Sequence, residues 1–466
     1  MDALALTAGD VAAATGGRLI GGRADTPIGR VSIDSRTASA GDFFVALRGE
    51  RFDGHAFVGE AAARGITGAL IEQPPASGTA APGVLIQVAD TTRALQDLAR
   101  EVRRQSGAKV VAITGSAGKT TTKEIAAEFL AARYRVFRNR GNLNNHIGLP
   151  LSLLELRSRP EAAVVELGMN HPGEIRTLVG VAEPDVRVWT NVGDAHLGFF
   201  ASADAIADAK GEILEHARQT DLLIANADDP RVMARVPAFV GRVSTFGIEH
   251  RAEIRATRVE MRGLEGTRAM VQTPAGELHI ATPLLGAGNL ANVLAATAVA
   301  LDFEIPLPEI ERRAAALRPA HHRGELLRLP GGITLVDDSY NSSPSALKQS
   351  LATVGLATGS ARKVAVLGEM LELGDHAARL HEECGRAAAS AGLHLLITVG
   401  GPASQAMAQG ARAAGMPNEA VVAVSTKEEA ADVALRRIRP GDLVLVKGSR
   451  GIGTDLVVER LKGEFA

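Results

Sequence analysis

The 466-residue chain has a single cysteine, Cys384. One cysteine excludes an internal disulfide and a cysteine metal cage, and it fits a reducing, cytoplasmic compartment. Excess positive charge is also missing. Lys and Arg total 51 against 53 Asp and Glu, a formal charge of −2. No basic face is implied, so nucleic acid is not the expected partner. Long apolar runs are absent too. The most apolar stretch, 284–301, is interrupted by Gly286, Gly288, Asn289 and Asn292. That pattern belongs to a buried segment, and no membrane insertion is expected. The first residues carry Asp2 and Asp10 and no basic cluster, so no signal peptide is expected. Lysine is scarce, with nine in the chain, so a lysine inside a motif carries extra information.

What remains is an ordinary globular composition, 46% apolar and 22% charged. The length suits two to four domains. Short β-branched runs alternate with Ala-rich helical runs, which predicts α/β architecture with mostly parallel sheets and crossover helices. Three units are expected. The first, 1–88, is a small α/β domain with strands at 31–34, 43–47, 68–71 and 84–88. The second, 89–318, is a mononucleotide-binding domain, with strands at 109–114, 135–137, 163–166, 186–191 and 222–225. Its stretch 242–285 reads as strands without helices, an antiparallel flap. The third, 319–466, opens with a hinge at 319–324 and restarts as a Rossmann-like α/β domain. Nothing in the sequence demands an oligomer, and a monomer is expected.

The strongest motif is KVVAITGSAGKTTTKEIAAEFL, 109–130. A buried strand ends at Thr114, the loop Gly115-Ser116-Ala117-Gly118 turns, and Lys119-Thr120-Thr121 opens a helix. Such a loop aims backbone N–H groups and a positive helix end at phosphates. Lys119 would reach the β- and γ-phosphates, and the Thr120 hydroxyl would ligate Mg²⁺. The general phosphate-loop pattern wants glycine at 113, where this chain has Ile113. A glycine-rich strand–helix turn without nucleotide is the alternative.

Three further residues stand at or near strand ends. Glu166 ends one predicted strand, His196 follows the next, and Lys210 lies in the helix after that. A carboxylate and an imidazole at neighbouring strand ends can bind a divalent cation, although Mg²⁺ prefers oxygen. Taken singly, Glu166 reads as a helix cap, His196 as a loop residue and Lys210 as a solvated charge. The set downstream of a phosphate loop favours a site. A second glycine fingerprint, GSRGIG at 448–453, lacks the strand and acidic residue that NAD binding needs.

The compressed T-G-S-A-G-K-T-T loop resembles that of the Mur ligase and folylpolyglutamate synthetase superfamily. Those enzymes use ATP to activate a carboxylate and couple it to an amine. Further segments resemble Mur ligases: DSR (34–36), GERFDGH (49–55), GNLNNHIGLPLSLL (141–154), ELGMNHPGEI (166–175), NVGDAHLGFF (191–200), AKGEI (209–213), DDSYNSSPSAL (337–347), LGEMLELG (367–374) and VKGSR (446–450). They span all three units. The resemblance is to the branch that adds D-alanyl-D-alanine to UDP-N-acetylmuramoyl-tripeptide in peptidoglycan precursor synthesis.

It implies roles residue by residue. Glu166, His196 and a carbamylated Lys210 would hold Mg²⁺ with Thr120. Asn289 and Asn292 would meet adenine, and Arg323 would reach the γ-phosphate. Asp338 would orient ribose or the arginine, helix capping being its alternative. Ser35, Arg36, Asp53 and His55 would hold the sugar nucleotide. Asn142, Asn144 and Asn145 would meet its peptide, a polar turn being the competing reading. Asn341, Ser342 and Lys447 would lie near the dipeptide. The rivals are the family's third-residue ligase, whose D-N-P-[RK] motif is not found here, folylpolyglutamate synthetase, and a phosphate-loop ATPase acting as a switch.

Overall fold

The computed structural model describes residues 3–49, 51–76, 78–194 and 197–465. Three principal sheets follow one another along the chain. The first has five strands and runs from Arg18–Gly21 to Val84–Gln87. The second has nine, and the third has six between Glu325–Leu329 and Asp442–Lys447.

The nine-stranded sheet positions the site. The strand Lys109–Thr114 lies inside it, flanked by Ala162–Glu166 on one side and Val186–Trp189 on the other, all parallel. The chain goes first to one side of Lys109–Thr114 and then crosses to the other. The strand order therefore reverses at this strand, and a crevice opens beyond its carboxyl end. Glu166 pairs in register with Ile113, and Trp189 with Thr114. The strand that bears the phosphate loop thus stands between two others that end at the same level.

Ile113 is fully buried inside this strand. The strand continues one residue past the position where the longer loop would begin with glycine, which accounts for the compressed motif.

The stretch 242–285 differs from the expected antiparallel flap. Arg242–Gly247 and Ile254–Met261 add in parallel to the sheet, and only Thr267–Thr273 and Gly276–Thr282 turn back antiparallel. A short 3₁₀ turn at Gly263–Glu265 sits within it. The antiparallel edge strand Glu325–Leu329 had no predicted counterpart.

Helix Thr91–Ser106 buries Leu95, Leu98 and Val102 along one face. These side chains join Phe43 and Val45 of the first sheet to Val110 and Val165 of the second in one continuous apolar core. The third unit has separate cores on its two sheet faces. Leu197 packs against both the central core and that of the third unit. Beside it the Gly198 N–H donates to the Glu372 carbonyl at 2.7 Å. A Cβ on Gly198 or Gly374 would come within 2.9 Å of the other strand of backbone, so this approach requires glycine on both sides.

Cys384 is fully buried, and burial pushes its thiol up to about 12. It should therefore resist a disulfide reagent at pH 8 in the native protein and react once denatured. Rapid labelling of folded protein would contradict this placement.

Candidate active site

The phosphate loop is built by two left-handed glycines, Gly115 at φ 150° and Gly118 at φ 83°. Space forbids a side chain at either. A Cβ would lie 1.9 Å from the Thr190 hydroxyl at Gly115 and 2.2 Å from the Asn292 amide oxygen at Gly118. Gly118 caps helix Lys119–Leu130 and supplies no side-chain acceptor, so the first N–H groups of the helix are left to a ligand.

The loop is clamped from the neighbouring strand. The Ala117 N–H donates to Asn191 Oδ1 at 2.9 Å, and Asn191 Nδ2 donates back to the Ala117 carbonyl at 3.1 Å. The Ser116 hydroxyl donates to the Gly193 carbonyl, and Thr190 to Ala117. Asn191 was not singled out in the sequence. Its signal was its place as the first polar residue pair beyond a buried strand. Thr114 has a local role: its buried hydroxyl donates to the Leu167 carbonyl and ties the loop's root to the Glu166 strand.

Three charged groups and one amide meet around Thr120. Its hydroxyl donates to Glu166 Oε2 at 2.7 Å and accepts from an Arg323 guanidinium nitrogen at 3.1 Å. Asn144 Nδ2 donates to the other Glu166 oxygen at 2.8 Å. The Lys119 amine turns back onto the Gly115 carbonyl at 2.7 Å. Arg323 also lies over the Tyr340 ring, 4.3 Å from its centre.

The charges shape one another. Burial acts to raise the Glu166 carboxyl, but Lys119, the Thr120 hydroxyl, Arg323 and Asn144 together outweigh it and hold the group below its ordinary value. Burial lowers the Lys119 ammonium, with Glu166 opposing and Arg323 adding to the effect. Lys210 is 1% exposed, and burial, reinforced by the Lys119 cation, holds its amine well below the usual lysine value. The solvated-charge alternative for Lys210 is thereby removed. So is the capping alternative for Glu166, because Glu212 caps the following helix through the Gly173 and Arg176 N–H groups. His196 lies outside the described residues.

Among the described residues no group of three or more His, Cys, Asp or Glu converges. The donors present do suit a hard divalent cation. Glu166 and Thr120 offer an ionised carboxylate and a hydroxyl 2.7 Å apart, both oxygen.

A cleft of about 670 Å³ runs from the phosphate loop to the third unit. Its wall includes Ser116 to Lys119, Thr121, Asn289, Asn292, Arg323, Asp338, Asn341, Ser342 and Lys447. Asn292 accepts from the Thr122 hydroxyl and donates to Asn289, so the two expected adenine-side amides form one chain on the helix Gly286–Asp302.

Several expected residues have local partners. Lys447 is buried, donating to Asp338 at 2.7 Å and to the Asn341 carbonyl at 3.0 Å, so its charge is neutralised within the protein. Asp338 also accepts from Ser350. It does not cap the helix Pro344–Leu356, and it shares the cleft wall with Arg323. The Asn341 side-chain oxygen accepts from the Ser342 N–H. Asn145 caps the helix Gly148–Leu153 through the Ile147 and Gly148 N–H groups, which is the polar-turn reading. Asn142 is exposed.

The first-unit residues do not line this cleft. Ser35 donates to Glu60, and Arg36 forms a two-pronged pair with Asp34. Asp53 accepts from the His55 N–H and contacts its Nδ1, while His55 Nε2 accepts from the Glu72 N–H. Both His55 nitrogens are thus engaged in shaping the turn.

Family models match three regions: the Mur ligase catalytic domain at 27–103, the Mur ligase middle domain at 113–300, and the Mur ligase, glutamate ligase domain, at 322–450. The UDP-N-acetylmuramoyl-tripeptide–D-alanyl-D-alanine ligase of Bacillus subtilis is 33% identical, over 94% of this chain and 93% of its own. A crystal structure of MurF from Acinetobacter baumannii superposes with a TM-score of 0.89 at 32% identity, covering 99% of this chain and 100% of that one. MurF from Thermotoga maritima, solved in complex with ADP, gives 0.83 at 30%, covering 94% and 97%. With all three domain patterns present in order and likeness spanning nearly the whole chain, this protein belongs to the Mur ligase family.

Proposed function

We propose that the protein is an ATP-dependent amide-forming ligase that joins D-alanyl-D-alanine to UDP-N-acetylmuramoyl-tripeptide, in peptidoglycan precursor synthesis. The relatives that match over most of the chain carry that name. The observation that carries the chemistry is the Arg323–Thr120 contact at 3.1 Å, which brings a guanidinium from beyond the central sheet onto the phosphate loop.

In this reading residues 1–88 hold the sugar nucleotide, 89–318 the ATP, and 319–466 the dipeptide. The loop N–H groups, Lys119 and Arg323 hold the γ-phosphate while the tripeptide carboxylate attacks it, giving an acyl phosphate and ADP. The dipeptide amine then attacks the acyl carbon and expels phosphate. Positive charge from Lys119 and Arg323 offsets the negative charge that builds at the phosphoryl group and at the tetrahedral carbon. Mg²⁺ supplies further charge neutralisation when bound. Thr120 and Glu166, with His196 and Lys210 as a carbamate, would hold it. No protein nucleophile is required, in keeping with an inert Cys384. In the first unit, Arg36 would exchange Asp34 for a diphosphate oxygen. The protein acts as a cytoplasmic monomer in this reading.

The test is phosphate release with ATP, Mg²⁺ and UDP-N-acetylmuramoyl-tripeptide, with and without D-alanyl-D-alanine, and the mass of the product. Release that needs both substrates and gives the pentapeptide is expected. Release indifferent to both would favour the switch ATPase instead.

Burial, reinforced by the Lys119 cation, favours the neutral form of the Lys210 amine, the form that can add to CO₂ and lose a proton. Lys210→Ala should therefore be inactive and partly rescued by short carboxylic acids, which restore the missing oxygens. Full activity without any addition would end the carbamate reading.

A further inference from the structure

Asn139 follows the strand Val136–Arg138 and is 1% exposed. It belongs to none of the motifs above. Both ends of its side-chain amide and its carbonyl are engaged. Oδ1 accepts from the Glu166 N–H at 3.1 Å, and Nδ2 donates to the Leu143 carbonyl at 2.9 Å. Its own carbonyl accepts from Lys123 Nζ at 2.6 Å. Lys123 is likewise 1% exposed and lies in the helix opened by the phosphate loop. Its ammonium also meets the Glu124 carboxylate at 3.1 Å.

These bonds reach Glu166 by two routes. One holds its backbone directly. The other closes the turn at Leu143, and the next residue, Asn144, donates to the Glu166 carboxylate at 2.8 Å. A buried amide with both ends satisfied has one orientation, and it passes that orientation to whatever it holds. A buried lysine is costly to desolvate, and an apolar side chain would fill the same space more cheaply. Its ammonium is compensated by the Asn139 carbonyl together with the Glu124 carboxylate.

We propose that Asn139, braced by the buried Lys123, is the positioning residue that aims the Glu166 carboxylate at the divalent cation accompanying the nucleotide. The inference rests on the reading of this site as an ATP and Mg²⁺ site. Partners one step removed from a metal ligand are worth ~10–100-fold in metal affinity or activity. The effect should fall on the metal-dependent part of nucleotide binding and leave the rest alone.

The experiment is calorimetry of ADP binding to the full-length protein, once with Mg²⁺ and once with EDTA. In wild type Mg²⁺ should strengthen binding. Asn139→Ala should cut that strengthening by ~10-fold or more, with affinity in EDTA unchanged. Lys123→Met should act in the same direction, and Lys123→Arg, which keeps a donor to the Asn139 carbonyl, should restore it. The Lys123 pair carries the test if Asn139→Ala does not fold. Wild-type binding of ADP with Mg²⁺ by the variants would overturn the proposal. So would equal weakening with and without the metal, the mark of a merely loosened site. A wild-type protein whose ADP affinity ignores Mg²⁺ would overturn the proposal together with the reading beneath it.

Discussion

Lys119→Ala should abolish product formation, with a loss of at least ~10²–10³-fold, the scale for removing one preorganised stabiliser of transition-state charge. Two effects combine. The amine that rests on the Gly115 carbonyl is the loop's own cation, and nothing in Ser116 to Gly118 can replace it. Lys119 is also the chief influence lowering the Glu166 carboxyl against burial. Without it the burial of Glu166 is less well opposed, which weakens its carboxylate as a cation ligand. The variant should therefore bind ADP more weakly and also lose much of its Mg²⁺ dependence. Steady-state turnover and ADP calorimetry check both halves. Near-normal turnover would remove Lys119 from the chemistry.

Arg323→Lys should lose rate far more than ATP affinity, by ~10³-fold in kcat with little change in KM for ATP. Lysine keeps the charge but not the planar fork, and it cannot both reach the Thr120 hydroxyl and lie flat over Tyr340. An interaction that strengthens only as charge develops on the phosphoryl group appears in kcat. Equal losses in kcat and in ground-state affinity would contradict this role.

The strand–loop–helix at 109–130 was legible because its periodicity and its glycines agree. The approach of Thr120 to Glu166 was legible in outline, since strand ends collect ligands in parallel sheets. The contacts of the side chains were not. His55, Asn145 and Lys447 are residue types that bind ligands and also types that cap turns and pair with neighbours. Their partners Glu72, Ile147, Gly148 and Asp338 become visible only in three dimensions. Asn139 and Asn191 escaped notice for the same reason. Each is a lone amide whose importance comes from what packs around it. Parallel pairing of 242–247 and 254–261 was missed because alternation in sequence does not distinguish strand direction.

The Thr120–Arg323 contact joins residues 203 positions apart. During synthesis the phosphate loop leaves the ribosome first, and at ~5–20 residues per second its arginine follows roughly 10–40 s later. For that interval the Thr120 hydroxyl lacks the guanidinium that it meets in the folded protein. The order of residues along the chain thus makes this contact one of the later parts of the site to form.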